Sequence, residues 1–410
     1  MDNIAGPPVE GDNFFGRETE LARFLDTLQQ HDILLLGPRR IGKTSFGRAL
    51  MKNAAAQGWQ VVEVNVASCD SEAGFVSKLA KAFEDAATSR PRQFLDQTRK
   101  ALSKLLQRIE GIEAAVPGVA KASVRIGAGK AEDWTATASA LLQLMAAQQQ
   151  RWLLYVDELP IFLYTLINND PQQGVARVRR FLDWFRNDVR ALAACAQMRW
   201  LISGSVGLDT LVQRHGMADT INTLKLERLE PFSEAVAVDM LQALAGHYAI
   251  TLDAATARAL VSAVQWPQPY YLQRVFNTLR RLLSERGLPP AELIEAAVDA
   301  LLQPGEDNDF HHWEQRLHQQ LDTTDTELAL ALLGAAAQTA AGARAETTLL
   351  PLLQTRLPEL SNDAARHKFI TLRDILLRDA YWYADESSGT RRYRFCLEPL
   401  RRWWLRRNSL

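Results

Sequence analysis

Apolar runs and amphipathic stretches alternate along the first 230 residues of the chain. Residues 17–30 carry leucines and a phenylalanine at helical spacing, and the apolar run at 32–36 is followed by glycine, as a buried parallel strand would be. The same alternation predicts strands at 61–66, 122–126, 152–156, 199–203 and 222–226, and helices at 43–56, 71–87, 91–110, 135–150 and 174–194. Such alternation indicates an α/β fold with a parallel sheet and helices on both faces.

The pattern changes after Glu230. Every periodic segment from 232 to about 302 is helical, and the acidic, turn-rich segment 303–309 separates it from further helices, which include Ala-rich patches such as 335–345. Near the C-terminus, 381–383 and 392–395 flank a Ser-Ser-Gly-Thr turn and predict a β-hairpin before a last short helix. We therefore predict a core at 1–230, a helical lid at 231–303 and a winged-helix-like domain at 304–410.

A phosphate-binding motif follows the first predicted strand. It fits G-x-x-x-x-G-K-[ST], and it opens a helix, whose N-terminus adds partial positive charge. Lys43 can reach the β- and γ-phosphates, and the Thr44 hydroxyl can ligate Mg²⁺. The motif predicts a nucleotide site made by Gly37, Pro38, Arg39, Arg40, Ile41, Gly42, Lys43, Thr44 and Ser45. A Gly-rich turn with a chance lysine is the alternative. The sequence lacks the N-K-x-D element of guanine sites, which favours ATP over GTP.

A second polar pair ends the predicted strand at 152–156. Asp157 would lie near the magnesium ion, and Glu158, one residue later, can polarise the attacking water. This arrangement is the Walker B pattern. The alternative is that the two carboxylates cap the helix after Pro160.

The strand at 199–203 ends in Ser-Gly-Ser, where a polar side chain would approach the γ-phosphate. Ser205 is the preferred sensor residue and Ser203 the second choice, although either could cap the helix before Leu208. The predicted catalytic residues are therefore Glu158, Lys43 and Ser205.

Composition excludes several classes of protein. Lys and Arg total 47 against 48 Asp and Glu, which gives no overall attraction to nucleic acid or to a membrane surface. The three cysteines are far apart in sequence, so neither a disulfide framework nor a zinc site is expected. With no apolar signal core and no apolar run of about 18–20 residues, we expect a cytoplasmic protein without a membrane partner.

Taken together, the motifs resemble one group of P-loop ATPases. The opening F-F-G-R-E-T-E-L at 14–21, the phosphate loop G-P-R-R-I-G-K-T-S at 37–45 and the D-E-L-P at 157–160 are similar to the STAND and archaeal-type (MNS-like) ATPases, within the wider AAA+-related NTPases. L-E-P-F-S-E at 229–234 and P-Y-Y-L-Q at 269–273 resemble the step into the lid and the motif whose proline lies against adenine. Trp266 and Pro267 stand where the group has glycines.

The resemblance implies an ATP-hydrolysing molecular switch that uses ATP and Mg²⁺. It places Phe14, Phe15 and Gly16 near the adenine and Pro269 against it. A neighbouring subunit often supplies an arginine to such sites, and Arg186 and Arg190 are candidates, with surface ion pairing as the alternative. Arg39 and Arg40 would sense phosphate or contact the lid. A second copy of the chain or an effector protein would be the partner.

The C-terminal segment raises one competing hypothesis. Its arginines face only Glu398, for a local net charge of about +6, and Trp403 and Trp404 lie among them. Such a cluster could bind DNA phosphates, which would make the chain a DNA-associated, motor-like or loader ATPase. Alternatively, the tryptophans pack inward and the arginines pair with acidic lid residues. The arginines are Arg391, Arg392, Arg394, Arg401, Arg402, Arg406 and Arg407.

Overall fold

The computed structural model describes residues 1–87, 134–191, 197–204, 207–387 and 389–407. They form two units. The sheet unit comprises Arg17–Arg39 and Lys43–Leu229, and the helical unit comprises Met1–Gly16, Arg40–Gly42 and Glu230–Leu410. The helix predicted at 91–110 and the strand predicted at 122–126 lie outside the described residues.

The sheet unit is built on five parallel strands in the order β2-β3-β4-β1-β5. The predicted parallel α/β fold is therefore confirmed. All six side chains of β3, an inner strand, are buried, because helices cover both faces of the sheet and leave no solvent-facing side. The strands are β1 (Asp32–Leu36), β2 (Gln60–Asn65), β3 (Trp152–Asp157), β4 (Met198–Ser203) and β5 (Leu224–Arg228).

Seven α-helices of the described residues accompany this sheet, most of them within a few residues of the predicted positions. The helix predicted at 174–194 is α-helical only as far as Trp184 and continues as a π-helical turn, Phe185–Val189. The helices are α1 (Glu18–Leu28), α2 (Lys43–Ala56), α3 (Glu72–Ala87), α4 (Trp134–Ala146), α5 (Leu159–Asn169), α6 (Gly174–Trp184) and α7 (Leu208–Arg214).

Strand register brings three chain segments to one edge of the sheet. Leu35 of β1 is level with Ser203, the last residue of β4, and Val156 of β3 is level with Ile202. Because the strands are parallel, the phosphate loop after β1, Asp157 at the end of β3 and Ser203 at the end of β4 share the carboxyl edge. The fold thus assembles distant polar residues at the edge where open α/β sheets bind ligands.

The helical unit contains the helices predicted after Glu230 and a small antiparallel sheet in the order β6-β8-β7. The hairpin β7–β8 matches the prediction. The elements are α8 (Glu234–His247), α9 (Ala254–Val264), α10 (Pro269–Arg286), α11 (Pro290–Ala300), α12 (Asn308–Gln320), α13 (Thr323–Ala337), β6 (Ala343–Arg344), α14 (Leu350–Arg356), α15 (Asn362–Arg378), β7 (Trp382–Asp385), β8 (Arg392–Phe395) and α16 (Glu398–Arg407).

The expectation that the Ala-rich patch at 335–345 is helical is wrong for residues 338–344. Helix α13 ends at Ala337, β6 follows and pairs with β8, and a π-helical turn, Ala345–Leu349, begins at the last residue of the patch. Gly342 allows the change of direction, since a Cβ at this position would lie 2.4 Å from the carbonyl oxygen of Tyr393. Close approach to β8 therefore overrides the helical propensity of alanine.

One apolar cluster spans both halves of the helical unit. Trp313 of α12 donates a hydrogen bond to the hydroxyl of Tyr271 in α10 at 2.8 Å, and Gln265 donates to the carbonyl oxygen of Phe395 at 2.7 Å. The predicted boundary between the lid (231–303) and the last domain (304–410) stays a prediction, although residues on both sides of it share this core. Among the described residues, no helix combines the length and apolarity needed to cross a membrane.

This shared core predicts a large loss of stability when a buried side chain of the C-terminal helix is shortened. Trp404 is 2% exposed and contacts the rings of Tyr381 and Phe395. We expect Trp404→Ala to lower the free energy of unfolding by about 3–5 kcal/mol, measured by urea denaturation. The control is Arg406→Ala on the same helix, whose exposed ion pair with Asp299 should contribute only about 0–1 kcal/mol. Equal midpoints for the two variants would contradict the packing role of Trp404.

Candidate active site

The phosphate loop adopts the backbone shape that its glycines predict. Gly37 and Gly42 have φ of 152° and 98°, values that residues with a Cβ rarely adopt. Arg40 also lies in the left-handed region, with φ of 68°, although it is not glycine. This turn carries the chain from β1 into α2 and leaves the N–H groups of the first turn of α2 without partners inside the helix.

Lys43 is buried against its own loop. Its ammonium group donates hydrogen bonds to the carbonyl oxygens of Gly37 and Pro38, at 2.8 and 3.0 Å, and the residue is 7% exposed. These contacts hold the Lys43 ammonium group against the phosphate loop. The geometry fits the predicted role of Lys43 as the cation on the β- and γ-phosphates, which stays a prediction.

The Asp157 carboxylate is the centre of a buried polar network. It accepts hydrogen bonds from the Thr44 hydroxyl at 2.9 Å, the Ser203 hydroxyl at 2.5 Å and the backbone N–H of Glu158 at 3.1 Å. Asp157 is 3% exposed, so these donors replace the water that it loses on burial. The network joins the ends of β3 and β4 to the start of α2.

The arrangement of Thr44 and Asp157 fits a magnesium ion. The Thr44 hydroxyl directs its proton to Asp157, so its oxygen lone pairs can face a metal, and both residues offer the oxygen atoms that Mg²⁺ prefers. Thr44 and Asp157 would hold the ion there, and Mg²⁺ bound with ATP neutralises charge on the phosphate oxygens. The predicted metal residues are thus brought together, and their role stays a prediction.

Glu158 occupies a strained corner between β3 and α5. Its φ of 62° and ψ of 32° are left-handed, which costs a non-glycine residue on the order of 1 kcal/mol. It stands at the N-terminus of α5 without a side-chain capping hydrogen bond, so the capping alternative is not what the structure shows for Glu158. Strain of this kind is often found at reactive sites, and Glu158 remains the predicted catalytic base.

Of the two serines in the predicted sensor motif, only Ser203 lies within the described residues. Ser205 lies outside the described residues. Ser203, the second choice in the sequence, is fully buried and donates to Asp157. The described part of the motif therefore connects β4 to the predicted metal ligand through Ser203.

Sequence reasoning missed Tyr155 as a member of this network. Its hydroxyl lies 3.0 Å from the Ser203 hydroxyl, and the residue is fully buried. Burial, and next the charge of Asp157, raise the pKa of Tyr155 well above its ordinary value, against weaker hydrogen bonds with Ser203 and Thr44. Because Tyr155 lies within an apolar run, the sequence pattern predicts an ordinary core residue at this position.

Arg40 is held within the helical unit, and both of its predicted roles, phosphate sensing and contact with the lid, stay predictions. Its guanidinium lies 3.0 Å from the Asp309 carboxylate and 4.5 Å above the ring of Tyr270. Asp309 also accepts from the Tyr270 hydroxyl and, at 2.7 Å, from Arg274. Burial opposes the charge on Asp309, but the Tyr270 hydrogen bond and the two arginines outweigh it and lower the pKa of Asp309. Arg39 belongs to the sheet unit, whereas Arg40 belongs to the helical unit.

The predicted adenine-contacting residues all belong to the helical unit. Phe15 packs on its apolar cluster, and a Cβ on Gly16 would lie 2.4 Å from Val236, so this glycine lets the chain run close to α8. Pro269 is the first residue of α10, where its missing N–H costs no helical hydrogen bond. These are structural roles, and the contacts with adenine stay predictions.

The two candidate trans-acting arginines lie towards the amino ends of the strands. Arg186 pairs with Asp219 at 3.1 Å, ahead of β5 in sequence, and the charge of Arg190 acts on Asp32, the first residue of β1. The phosphate loop follows the other end of β1, about 13 Å further along the strand. A role for either arginine in the site of another copy stays a prediction.

Comparison with known proteins finds one family match, which covers most of the sheet unit. Residues 13–196 match the AAA ATPase domain family. No curated protein sequence matches the chain. A Walker-type ATPase of Pyrococcus abyssi is similar in structure, with a TM-score of 0.60 over 98% of this chain and 99% of the other, at 12% identity.

Two further structures align at lower scores. The ORC2 protein of Aeropyrum pernix has a TM-score of 0.43, 14% identity and coverage of 97% of both chains. The RuvB branch-migration motor of Thermotoga maritima has a TM-score of 0.41, 11% identity and coverage of 94% of both chains. At 12% identity, the Pyrococcus abyssi structure informs on the fold alone. Together, the AAA ATPase domain match over residues 13–196 and this shared P-loop ATPase fold support an ATP-hydrolysing enzyme.

Nucleotide binding should depend on Lys43. We expect Lys43→Ala to keep the fold but lose most of its ATP affinity, because the ammonium on the phosphates is removed. Isothermal titration calorimetry measures this. Lys52→Ala, an exposed lysine on the same helix, is the matched control and should bind ATP as the wild type does. Wild-type affinity in a folded Lys43→Ala protein would reject the phosphate-loop assignment.

Turnover should depend on Glu158 more strongly than binding does. Glu158→Gln keeps the side-chain shape but removes the base, so ATP should bind normally and turnover should fall by about 100-fold or more. Phosphate release under saturating ATP gives the rate, and Glu18→Gln, an exposed position, serves as control. If Glu158→Gln turns over at the wild-type rate, another residue activates the water.

Proposed function

We propose that this ATPase is a molecular switch, in which the nucleotide at the phosphate loop controls how the helical unit holds Arg40. The observation that carries the proposal is the anchoring of Arg40, a residue inside the G-x-x-x-x-G-K-T motif, by Asp309 and Tyr270. Arg40 also combines its positive charge with a left-handed backbone, at φ of 68°.

Competition for the guanidinium of Arg40 supplies the physical basis. A single phosphate charge at ~4 Å attracts a guanidinium by ~4 kcal/mol at an effective dielectric constant of ~20, and the Asp309 carboxylate attracts it by a similar amount. The two interactions are therefore balanced closely enough for nucleotide to shift the equilibrium. A coupling of ~1–3 kcal/mol changes the populations of two states by ~5–150-fold.

Asp309 is well placed to transmit such a change. It lies in the first turn of α12, and its second oxygen is bound by Tyr270 and Arg274 of α10. Arg274 also binds Glu306 in the preceding turn, at 2.8 Å. A change at Arg40 would therefore reach α10, α12 and the segment 303–309 together.

Several finer assignments belong to the same proposal. Helices followed by a hairpin with a third short strand support a winged-helix domain at 304–410. The opening motif and the G-P-R-R-I-G-K-T-S loop support the STAND or archaeal-type (MNS-like) group. We propose Mg²⁺ as the metal, a second copy or an effector protein as the partner, and the cytoplasm as the compartment, which the free thiols of Cys69 and Cys396 support.

The competing DNA-associated function has less support from the C-terminal arginines. Arg401 pairs with Glu398, and three others reach carboxylates from distant segments. These contacts are Arg402–Glu295, Arg406–Asp299 and Arg407–Glu314. Trp403 and Trp404 are buried, so they offer no stacking surface for bases. The acid pairing and the inward packing of the tryptophans agree with the alternative that the sequence left open.

Changing Asp309 tests the switch. Asp309→Asn should release Arg40 towards the phosphates and tighten ATP binding by about 5–10-fold, as measured by calorimetry. In an Arg40→Ala background the same change should have no effect on affinity. Glu306→Gln, which removes the exposed partner of Arg274 and leaves the Arg40 contact intact, is the matched control.

Hydrogen exchange at 303–320, compared between ATP and ADP, supplies the second measurement. The wild type should differ between the two nucleotides, and Arg40→Ala should not. Identical exchange in the wild type would reject the switch. Turnover that rises with plain duplex DNA, in a salt-dependent manner, would favour the DNA-associated function instead.

A further inference from the structure

Tyr155 is a buried tyrosine on the strand that ends in Asp157. Its neighbours along β3, Leu154 and Val156, are apolar, and all three residues are at most 1% exposed. Phenylalanine would fill the ring's volume equally well. The feature that distinguishes tyrosine here is its hydroxyl, which lies 3.0 Å from the Ser203 hydroxyl on β4.

The protons of this network can be assigned from its acceptors. A carboxylate offers only acceptor atoms to its partners, so the Ser203 proton goes to Asp157 Oδ1 and the Thr44 proton to Oδ2. Ser203 has no second proton, so its oxygen must accept from Tyr155. Donation therefore runs in one direction, from Tyr155 through Ser203 to Asp157.

Helix α2 has a glycine, Gly47, where it packs against the Tyr155 ring. A Cβ on Gly47 would lie 2.5 Å from Cζ of Tyr155 and 2.9 Å from its hydroxyl oxygen. Glycine inside a helix is less favourable than alanine, yet its absence of a side chain admits the ring between α2 and β4. The helix that carries Thr44 thus leaves space for the tyrosine that orients Ser203.

We propose that Tyr155 is a positioning residue for the ATPase reaction. Its hydroxyl keeps the Ser203 oxygen occupied as an acceptor, so that the Ser203 proton stays on Oδ1 of Asp157. Oδ1 is then fixed, and Oδ2 is presented to Thr44 on the side where the two predicted metal ligands meet. Tyr155 acts on the metal site mainly through Ser203, beside a weaker hydrogen bond with Thr44, and it touches neither substrate nor metal.

This inference rests on the ATPase site and not on the switch at Arg40. It predicts an effect on magnesium, because the orientation of Asp157 is what the tyrosine controls. ATP bound without metal uses the loop backbone and Lys43, which are not part of the donation from Tyr155 to Asp157. Comparing the affinity for Mg-ATP with the affinity for metal-free ATP therefore distinguishes a positioning role of Tyr155 from a general loss of packing.

The test is Tyr155→Phe, studied by calorimetric titration of ATP in MgCl₂ and in EDTA, with a magnesium titration of turnover. We expect the magnesium concentration for half-maximal turnover to rise by about 3–10-fold and affinity for Mg-ATP to fall by a similar factor. Affinity for ATP in EDTA should stay within about two-fold of wild type.

The matched control is Tyr381→Phe. The hydroxyl of Tyr381 is also fully buried and donates to the carbonyl oxygen of Trp313 at 2.6 Å, but it belongs to the helical unit. Thermal melting without nucleotide measures the loss of stability in both variants. Only Tyr155→Phe should alter the magnesium dependence.

Ser203→Ala keeps the proposal testable if Tyr155→Phe folds poorly. It should shift the magnesium dependence in the same direction, and adding Tyr155→Phe to it should cause little further change, because the two residues act in series. An unaltered magnesium dependence in folded Tyr155→Phe would overturn the proposal, as would an equal loss of ATP affinity in MgCl₂ and in EDTA. Neither outcome depends on the Asp309 variants, so the switch and the positioning role can fail separately.

Discussion

The burial of the Asp157 carboxylate is the constraint on which the site depends. A carboxylate at the end of a fully buried parallel strand loses its water and must find hydrogen-bond donors in the protein. Those donors come from Thr44 on α2 and Ser203 on β4, two segments far apart in sequence. Satisfying one acceptor thus sets the relative position of the phosphate loop and two strand ends. The catalytic geometry is largely a consequence of that requirement.

The sequence predicted the parts of the site that depend on local chain geometry. The loop 37–44 and the pair Asp157–Glu158 could be located because each follows an apolar run and its backbone shape or charge is decided within a few residues. The contact of Tyr155 with Ser203 could not be predicted in the same way. Whether a tyrosine in an apolar run meets a hydroxyl depends on strand order, since β4 becomes the neighbour of β3 only through a long crossover.

The charge of the C-terminal segment is a second feature that depends on residues distant in sequence. Counted locally, the arginines from 391 to 407 form a strongly basic cluster. In the folded helical unit, Arg402 and Arg406 lie against Glu295 and Asp299 of α11, roughly a hundred residues earlier. A short window of sequence cannot include such partners. The same holds for Gly342, whose position is decided by β8 and not by the alanines that precede it.

The phosphate loop has two polar anchors only four residues apart. The Thr44 hydroxyl donates to Asp157, which also accepts from Ser203. Arg40 donates to Asp309, which also accepts from Tyr270 and Arg274. The first anchor consists of buried hydroxyl and carboxyl groups and suits the fixed geometry that catalysis needs. The second pairs the partly exposed Arg40 with the buried Asp309, and under the proposed switch it is this ion pair that phosphate competes for. The proposed switch and the ATPase reaction would then place opposite demands on rigidity within one short loop.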